Sequence, residues 1–390
     1  MEINGAKMFV KALQEEGVDT LFAYPGGTAI DLFDALYDAE GIDMILPRHE
    51  QALVHAADGY ARSTGRVGVC LVTSGPGATN LVTGIATANY DSVPLVCFTG
   101  QVPMNLIGND AFQEVDIVGI TRSICKYAVT VRKREDLARI IKNAFYIART
   151  GKPGPVVVDI PKDIQLAMGS DEYPTEVNIR GYKPSEGVHV GQIKRALAEL
   201  KNAKKPVFLC GGGVNIAHAR KEMQQLAEKT GIPVVTTIMG KGAIPTDHPL
   251  YVGNIGMHGN LASNKAIMES DVLFSIGCRF NDRITGTIDT FAKNAKIIHV
   301  DIDAASISRN IKVDIPIVAD AKVAISKMLE YAEPLDIKGW VDDIMNVKAE
   351  YPINMNRYDG VTPEAIIRTI NDMYSNLIVT TDVGQNQLWT

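Results

Sequence analysis

The chain has 390 residues, 46% hydrophobic and 22% charged, with a net charge of −6 at pH 7. That length accommodates two or three domains that each bury a core, and the acidic balance, with no basic stripe, excludes a nucleic-acid surface. Apolar runs such as VGVCLV (67–72) fall far short of the roughly 20 residues a membrane span requires, so neither nucleic acid nor membrane is expected as a partner.

From the amino end, MEINGAKMFVKALQEEG reads as an amphipathic helix closed by Gly17 rather than as a signal peptide. Short β-rich runs then alternate with helical patterns: TLFAY (20–24), DMIL (43–46), VGVCLVT (67–73), PLVCFTG (94–100) and GPVVVDI (154–160) are strands, while AIDLFDALYDA (29–39) and EQALVHAADGYAR (50–62) are helices. Alternation of this kind predicts a parallel sheet with helices on both faces. The polar stretch 168–188, with two prolines and few apolar positions, is expected to be a linker.

Alternation resumes over 189–333, with helices at 190–203 and 216–229, strands PVFLC (206–210), PVVTT (233–237), DVLFSIG (271–277), KIIHVDID (296–303) and IPIVAD (315–320), and helix AKVAISKMLEYA (321–332). Residues 334–360 form a second connector around a short helix. At 361–390 a further unit begins: a helix capped by Thr362 with Pro363 at its first position, then LIVTTD (377–382) as a buried strand. The expected fold class is α/β, two doubly wound parallel-sheet domains, 1–167 and 189–333, plus the first helix and strand of a third. The five cysteines have no CxxC spacing, and four lie in or beside apolar strands, the pattern of buried free thiols in a reducing cytoplasm.

Chemistry is expected at strand ends, where open α/β sheets hold ligands. Glu50 stands where strand DMIL hands over to a helix, either as an ordinary first-turn glutamate or as a carboxylate that titrates a ligand. His49 and His55 fall on different helical faces, which disfavours a metal pair. TSGPGATN (73–80) and YPGGTAID (24–31) are glycine-rich turns that bring backbone close to a ligand or simply turn the chain. In the second domain LCGGGVN, TTIMGKGAIP, IGCRFNDRITG and HVDID end successive strands, and together they point to a dinucleotide or similar large cofactor, although the glycines match neither GxGxxG nor the P-loop pattern.

FAYPGGTAIDLFDAL, LPRHEQALVHAADGYARSTGRVGVCLVTSGPGATNLVTGIATA, IGNDAFQEVDIVGITRSICKYA, GKPGPVVVDIPKD, TTIMGKGAIP, GMHGN, GCRFNDRITG and TDVGQNQLW resemble the large, catalytic subunit of the acetolactate synthases, which are thiamine-diphosphate enzymes. The resemblance runs the length of the chain. It implies condensation of pyruvate with a second 2-oxo acid, pyruvate or 2-oxobutyrate, at the head of branched-chain amino-acid biosynthesis. It further implies thiamine diphosphate, Mg2+ and FAD as cofactors, a homodimer or tetramer in the cytoplasm, and a small regulatory subunit as a possible companion.

Residue by residue, the resemblance implies Glu50 as the glutamate that activates thiamine diphosphate and Gln113 as its catalytic companion. Pro25, Gly26, Gly27, Gly384, Gln385 and Asn386 are implied as further contacts to that cofactor, and Phe112, Lys126 and Arg283 as substrate contacts. The implied FAD contacts are Arg122, Lys152, Gly211, Gly212, Gly213, Thr237, Met239, Gly256, Met257, His258, Gly277, Arg279, Asp282, Arg283, Asp301, Ile302 and Asp320. Lys152 departs from the arginine usual in the family, and Asn386 from the histidine. The family holds Mg2+ through a GDG segment and an Asn pair that do not occur here. An incomplete large subunit is therefore expected, inactive alone and binding thiamine diphosphate weakly or not at all. The competing readings are another thiamine-diphosphate decarboxylase, oxidase or carboligase, and a non-catalytic flavin-binding module.

Overall fold

β-branched runs bounded by glycine and proline collect into two separate sheets in the computed structural model, which describes residues 1–353 and 360–390. The chain divides into two units, Met1–Ser185 and Glu186–Thr390. In the first, β2 (Thr20–Ala23), β3 (Asp43–Ile45), β4 (Gly68–Val72), β5 (Leu95–Gln101), β6 (Tyr127–Thr130) and β7 (Pro155–Pro161) form one parallel sheet in the order β3-β2-β4-β5-β7-β6. Helices cover both faces, and side chains alternate between them as a period of two requires. On β4 and β5, Val69, Leu71, Val96 and Phe98 enter the core with helices Gly5–Glu15 and Leu137–Arg149, while Cys70, Val72 and Cys97 enter the core with helices Glu50–Thr64 and Val82–Asp91.

The amino terminus adds what periodicity missed. Before the first helix, β1 (Glu2–Asn4) pairs antiparallel with β8 (Met168–Ser170), so the opening of the expected linker belongs to the first unit. Arg134 ties this pair down, donating through Nη2 to the carbonyls of Ile3 and Ser170.

The second unit repeats the plan. Strands β9 (Pro206–Cys210), β10 (Val234–Thr236), β11 (Tyr251–Asn254), β12 (Val272–Ile276), β13 (Lys296–Asp301) and β14 (Ile315–Val318) form a parallel sheet in the order β11-β10-β9-β12-β13-β14. The helix expected inside a connector is Lys338–Glu350, and it packs on this unit. Its i, i+4 pair Trp340 and Ile344 is buried, and the indole donates to the Pro206 carbonyl at 3.1 Å. The end of that connector, 354–359, lies outside the described residues.

Helix Pro363–Met373 forms as expected, with the Thr362 hydroxyl accepting from the Ala365 amide. The expected strand at 377–382 does not: the segment is exposed and in no ladder. A strand needs a neighbour to take its backbone groups, and among the described residues none lies beside this one. All five cysteines are free thiols, Cys125 half-buried and the rest buried.

Phe98 joins two layers of the first unit, its ring edge-on to Phe9 at 4.9 Å and tilted to Phe145 at 6.4 Å. Phe98→Ala is expected to destabilise this unit by about 3–5 kcal/mol, read as a lower urea midpoint at unchanged slope. A loss below about 1 kcal/mol would mean that the site collapses around the cavity.

Candidate functional site

In the first sheet the strand order reverses between β2 and β4, since β2 leads to β3 on one side while β4, β5 and β7 extend the other. Chains leaving two such strands go to opposite faces and leave a crevice at their carboxyl ends. The turn after β2 is YPGG (24–27) and the turn after β4 is TSGPG (73–77). They touch: a Cβ at Gly26 would lie 2.5 Å from Thr73 Cβ, so only glycine fits there. The Thr28 and Thr73 hydroxyls lie 2.9 Å apart, and the Ser74 amide donates to Thr28 Oγ1 at 3.0 Å. Beside Gly27 the space is open.

Glu50 opens helix Glu50–Thr64, where His49 is the N-cap and accepts from the Gln51 amide through Nδ1 at 3.1 Å. His49 is thereby committed to capping, and His55 is exposed on the helix. The half-buried Glu50 carboxylate accepts from Asn80 Nδ2 at 2.9 Å through Oε2, while Oε1 faces Gly77, where a Cβ would lie 3.5 Å away. Gln113 approaches the same turn. Its backbone takes a φ of +58°, and a Cβ on Gly75 would come within 2.7 Å of its carbonyl oxygen. Four sequence-distant segments thus meet around Glu50. Pro25 is exposed at this edge, and Phe112, 86% exposed, stands next to Gln113.

Lys126 has other partners. Its ammonium donates to the carbonyls of Ile147 and Thr150 at the end of helix Leu137–Arg149 and to the Tyr182 hydroxyl at 3.0 Å. Burial, with Lys152 nearby, lowers its pKa to about 8. A cleft of about 330 Å³ lined by Glu16, Asp19, Tyr60 and Arg66 lies at the amino ends of β2 and β4, the edge opposite Glu50. Its charges are paired with one another: Tyr60 and Arg66 bind Asp19 and hold its pKa at about 2.

The second sheet reverses between β9 and β12, and there the strand ends are glycines. A Cβ at Gly211 would lie 2.1 Å from the Gly277 carbonyl oxygen, and one at Gly213 would lie 2.7 Å from Gly277 Cα. The Gly213 amide donates to the Gly277 carbonyl at 3.1 Å, and Gly277 itself has a φ of +61°. Around this contact, Gly212 faces Met239, Thr237 caps the turn that carries Met239, and the Met257 amide donates to the Arg283 carbonyl at 3.0 Å, next to Gly256. Arg279, Asp282, Arg283, Met257 and His258 are exposed here, and Ile302 is half-buried. Asp301 accepts from the Asp303 amide, and Asp320 is the N-cap of helix Ala321–Tyr331.

Arg122 and Lys152 belong to the first unit, apart in sequence from the other expected flavin contacts. Gly384 is the N-cap of the exposed helix Gln385–Trp389, which Gln385 and Asn386 open, and Asn386 donates to Asp382. The partnerships of Asn80 and Thr28 escape sequence reading, although both residues lie in the glycine-rich turns singled out there: nothing in an Asn three residues beyond Gly77 signals a partner 30 positions away. Among the described residues no group of three or more His, Cys, Asp or Glu is arranged to hold a metal ion, and no helix is long and apolar enough to cross a membrane.

Residues 3–120 match the family description "Thiamine pyrophosphate enzyme, N-terminal TPP binding domain", and residues 193–328 match "Thiamine pyrophosphate enzyme, central domain". Over 99% of its length the chain is 48% identical to a probable acetolactate synthase large subunit of Methanococcus aeolicus, spanning 68% of that protein. It is 46% identical to the acetolactate synthase large subunit of Haemophilus influenzae over 100% of the chain and 70% of the relative. The figures for the isozyme 3 large subunit of Escherichia coli are 45% identity over 99% of the chain and 69% of the relative. With Glu50 at one sheet's point of reversal and a glycine contact at the other's, the chain belongs to the thiamine-pyrophosphate enzymes, within the family of acetolactate synthase large subunits.

Proposed function

We propose that the chain serves the thiamine-diphosphate-dependent decarboxylative condensation of pyruvate with a second 2-oxo acid; the expectation from its sequence that it is inactive alone is tested by the acetolactate assay below. The product is 2-acetolactate from pyruvate, or 2-aceto-2-hydroxybutyrate from 2-oxobutyrate, feeding branched-chain amino-acid biosynthesis in the cytoplasm. The observation that carries this reading is Glu50, with one oxygen held by Asn80 and the other left toward the glycine turn, at the reversal point of a thiamine-binding domain.

The chemistry supplied by thiamine diphosphate when bound is nucleophilic addition to a keto carbon and uptake of the electron pair left by departing CO2. The chain's residues serve that chemistry by position. Glu50 exchanges a proton with a ring nitrogen of the cofactor through Oε1, because Oε2 is occupied by the Asn80 amide. Gly26 and Gly27 let a flat ring approach the backbone, and the backbone of Gln113 packs on Gly75. Phe112 supplies an apolar wall over the reacting carbons.

FAD is the proposed occupant of the second unit. Support comes from glycine backbone at a point of strand reversal, exposed Arg279, and the Asp301 carboxylate close by. Arg283, with an exposed guanidinium, suits the carboxylate of the second 2-oxo acid. Mg2+ belongs to the proposal as counter-ion to the diphosphate. A second copy of the chain is the proposed cover for edge strand β3, where Met44, Ile45 and Leu46 are exposed a few residues before Glu50.

Three measurements test the reading. Acetolactate formation from pyruvate, with thiamine diphosphate, Mg2+ and FAD supplied, is expected to fall about 10²–10⁴-fold in Glu50→Gln; equal rates would remove Glu50 from the mechanism, and no acetolactate despite bound thiamine diphosphate would overturn the function. Asn80→Ala leaves the carboxylate unheld, and a loss of about tenfold, absent in a Glu50→Gln background, is expected from coupled partners. Gly211→Ala is expected to cut FAD retention more than tenfold in a chain that still unfolds cooperatively, since its Cβ would meet the Gly277 carbonyl. Unchanged flavin absorbance after gel filtration would place FAD elsewhere.

A further inference from the structure

One buried carboxyl at the ligand edge of the first sheet takes no part in the chemistry above. Asp159, near the carboxyl end of β7, is 2% exposed and accepts three hydrogen bonds: from Thr99 Oγ1 at 2.7 Å, Gln101 Nε2 at 3.2 Å and Thr130 Oγ1 at 3.2 Å. Three adjacent strands, β5, β7 and β6, supply these groups in register, with Thr99 and Thr130 each opposite Asp159.

Gln101, 3% exposed, then does something unusual for a single side chain. Its Oε1 accepts from the Val102 amide at 2.9 Å, and its Nε2 donates to the Val115 carbonyl at 3.0 Å as well as to Asp159. Val102 and Val115 are the two ends of the loop that carries Phe112 and Gln113, and one amide group therefore fastens both. Elsewhere along the loop the Met104 amide donates to Asp163, and Asp110 and Gln113 adopt positive φ. Such strained loop conformations persist only where surrounding contacts over-determine them.

We propose that Gln101 and Asp159 form a clasp that closes the loop 102–115 and so positions Gln113 against Gly75; Asp159 is a positioning residue that acts through Gln101. This rests on the proposed function only in that Gln113 serves the reaction. Asp159 orients the amide because Gln101 has two N–H groups: one is taken by Val115, and the carboxylate takes the other. Burial raises the Asp159 pKa to about 6, against the lowering effect of Thr99, Gln101 and Thr130. Among the described residues Asp116, the N-cap of helix Ile117–Thr121, is the charged group that acts on it electrostatically, and it raises the pKa further.

The sign follows from the largest of these effects. With the loop open, Asp159 loses the Gln101 bond, which lowers its pKa, but also the burial and the nearby Asp116 charge that raise it, burial being the largest cause. Its pKa is therefore lower open than closed, so closure is favoured below about pH 6 and weakened as pH rises through that value. Stability of the whole unit runs the same way. A carboxyl raised from 3.8 to about 6 favours the fold most below about pH 4, and that contribution is lost as pH rises through 6.

Hydrogen exchange of the 102–115 amides, corrected for intrinsic rates, tests the clasp in the intact chain. Protection of the loop is expected to fall from about pH 5 to about pH 7 in the wild type and to be flat in Asp159→Asn, which keeps an acceptor but does not titrate. Gln101→Leu is expected to speed loop exchange about tenfold or more at every pH, with β5 and β7 unchanged, and to lower kcat/KM for acetolactate formation by a similar factor. Exchange within about twofold of wild type in Gln101→Leu, or equal acceleration in the strands, would overturn the clasp. A wild-type pH profile in Asp159→Asn would remove Asp159 from it. A chain that makes no acetolactate yet keeps the pH-dependent loop overturns the proposed function alone, and one that makes acetolactate with a loop indifferent to both substitutions overturns the clasp alone.

Discussion

Each half of this protein depends on the same steric constraint: where a parallel sheet reverses its strand order, the chains leaving two neighbouring strands diverge, and what lies between must be backbone thin enough to allow close approach. In the second unit the approach is extreme, with Gly211 and Gly213 packed on Gly277 so closely that a methyl group would occupy the carbonyl's place. In the first, Gly26 rests on Thr73 and Gly75 on Gln113. These contacts bring the turns after neighbouring strands together before any charged residue is considered.

Charge is then added differently at the two edges. The first unit supplies the Glu50 carboxylate at a helix amino end, restrained by Asn80 on one oxygen. A proton-transfer group benefits from such restraint, because a fixed carboxylate presents the same oxygen at each turnover and needs no reorganisation at the moment of transfer. The second unit supplies exposed Arg279 and Arg283 with acids that mostly serve the backbone: Asp301 accepts from the Asp303 amide, and Asp320 caps a helix. That is a surface suited to holding a large anionic cofactor and to little proton chemistry.

Much of this was legible from residue order alone. Apolar runs bounded by Gly and Pro located the core strands of both sheets, and the glycine turns marked the edge at which Glu50 sits. The edge strands β6 and β11 were not, and neither were three further features. The pairing of β1 with β8 joins residues more than 160 positions apart, too short in each partner to register as a periodic pattern. The short helix expected inside the second connector is Lys338–Glu350, and what went unread is that it packs on the second unit through Trp340 and Ile344, two apolar positions too few to mark a core-facing helix. LIVTTD has the composition of a strand and, among the described residues, lacks the neighbour that makes one, a reminder that β-propensity describes fit to a sheet already present. Partners such as Asn80 for Glu50 were equally hidden, since their meeting depends on which strands adjoin rather than on spacing.

The loop carrying Gln113 shows why topology matters for chemistry as well as for packing. Its strained residues project from the sheet on a segment with little regular structure, and such segments occupy the low-stability end of a protein. Holding it with one glutamine at both ends costs a single side chain's freedom, whereas separate anchors would each require their own. The glutamine in turn needs a buried acceptor, and Asp159 provides it from β7, a strand paired on both sides within the sheet. Order at an exposed turn is thus drawn from the sheet's interior, and the buried carboxyl that makes this possible also makes it sensitive to protons.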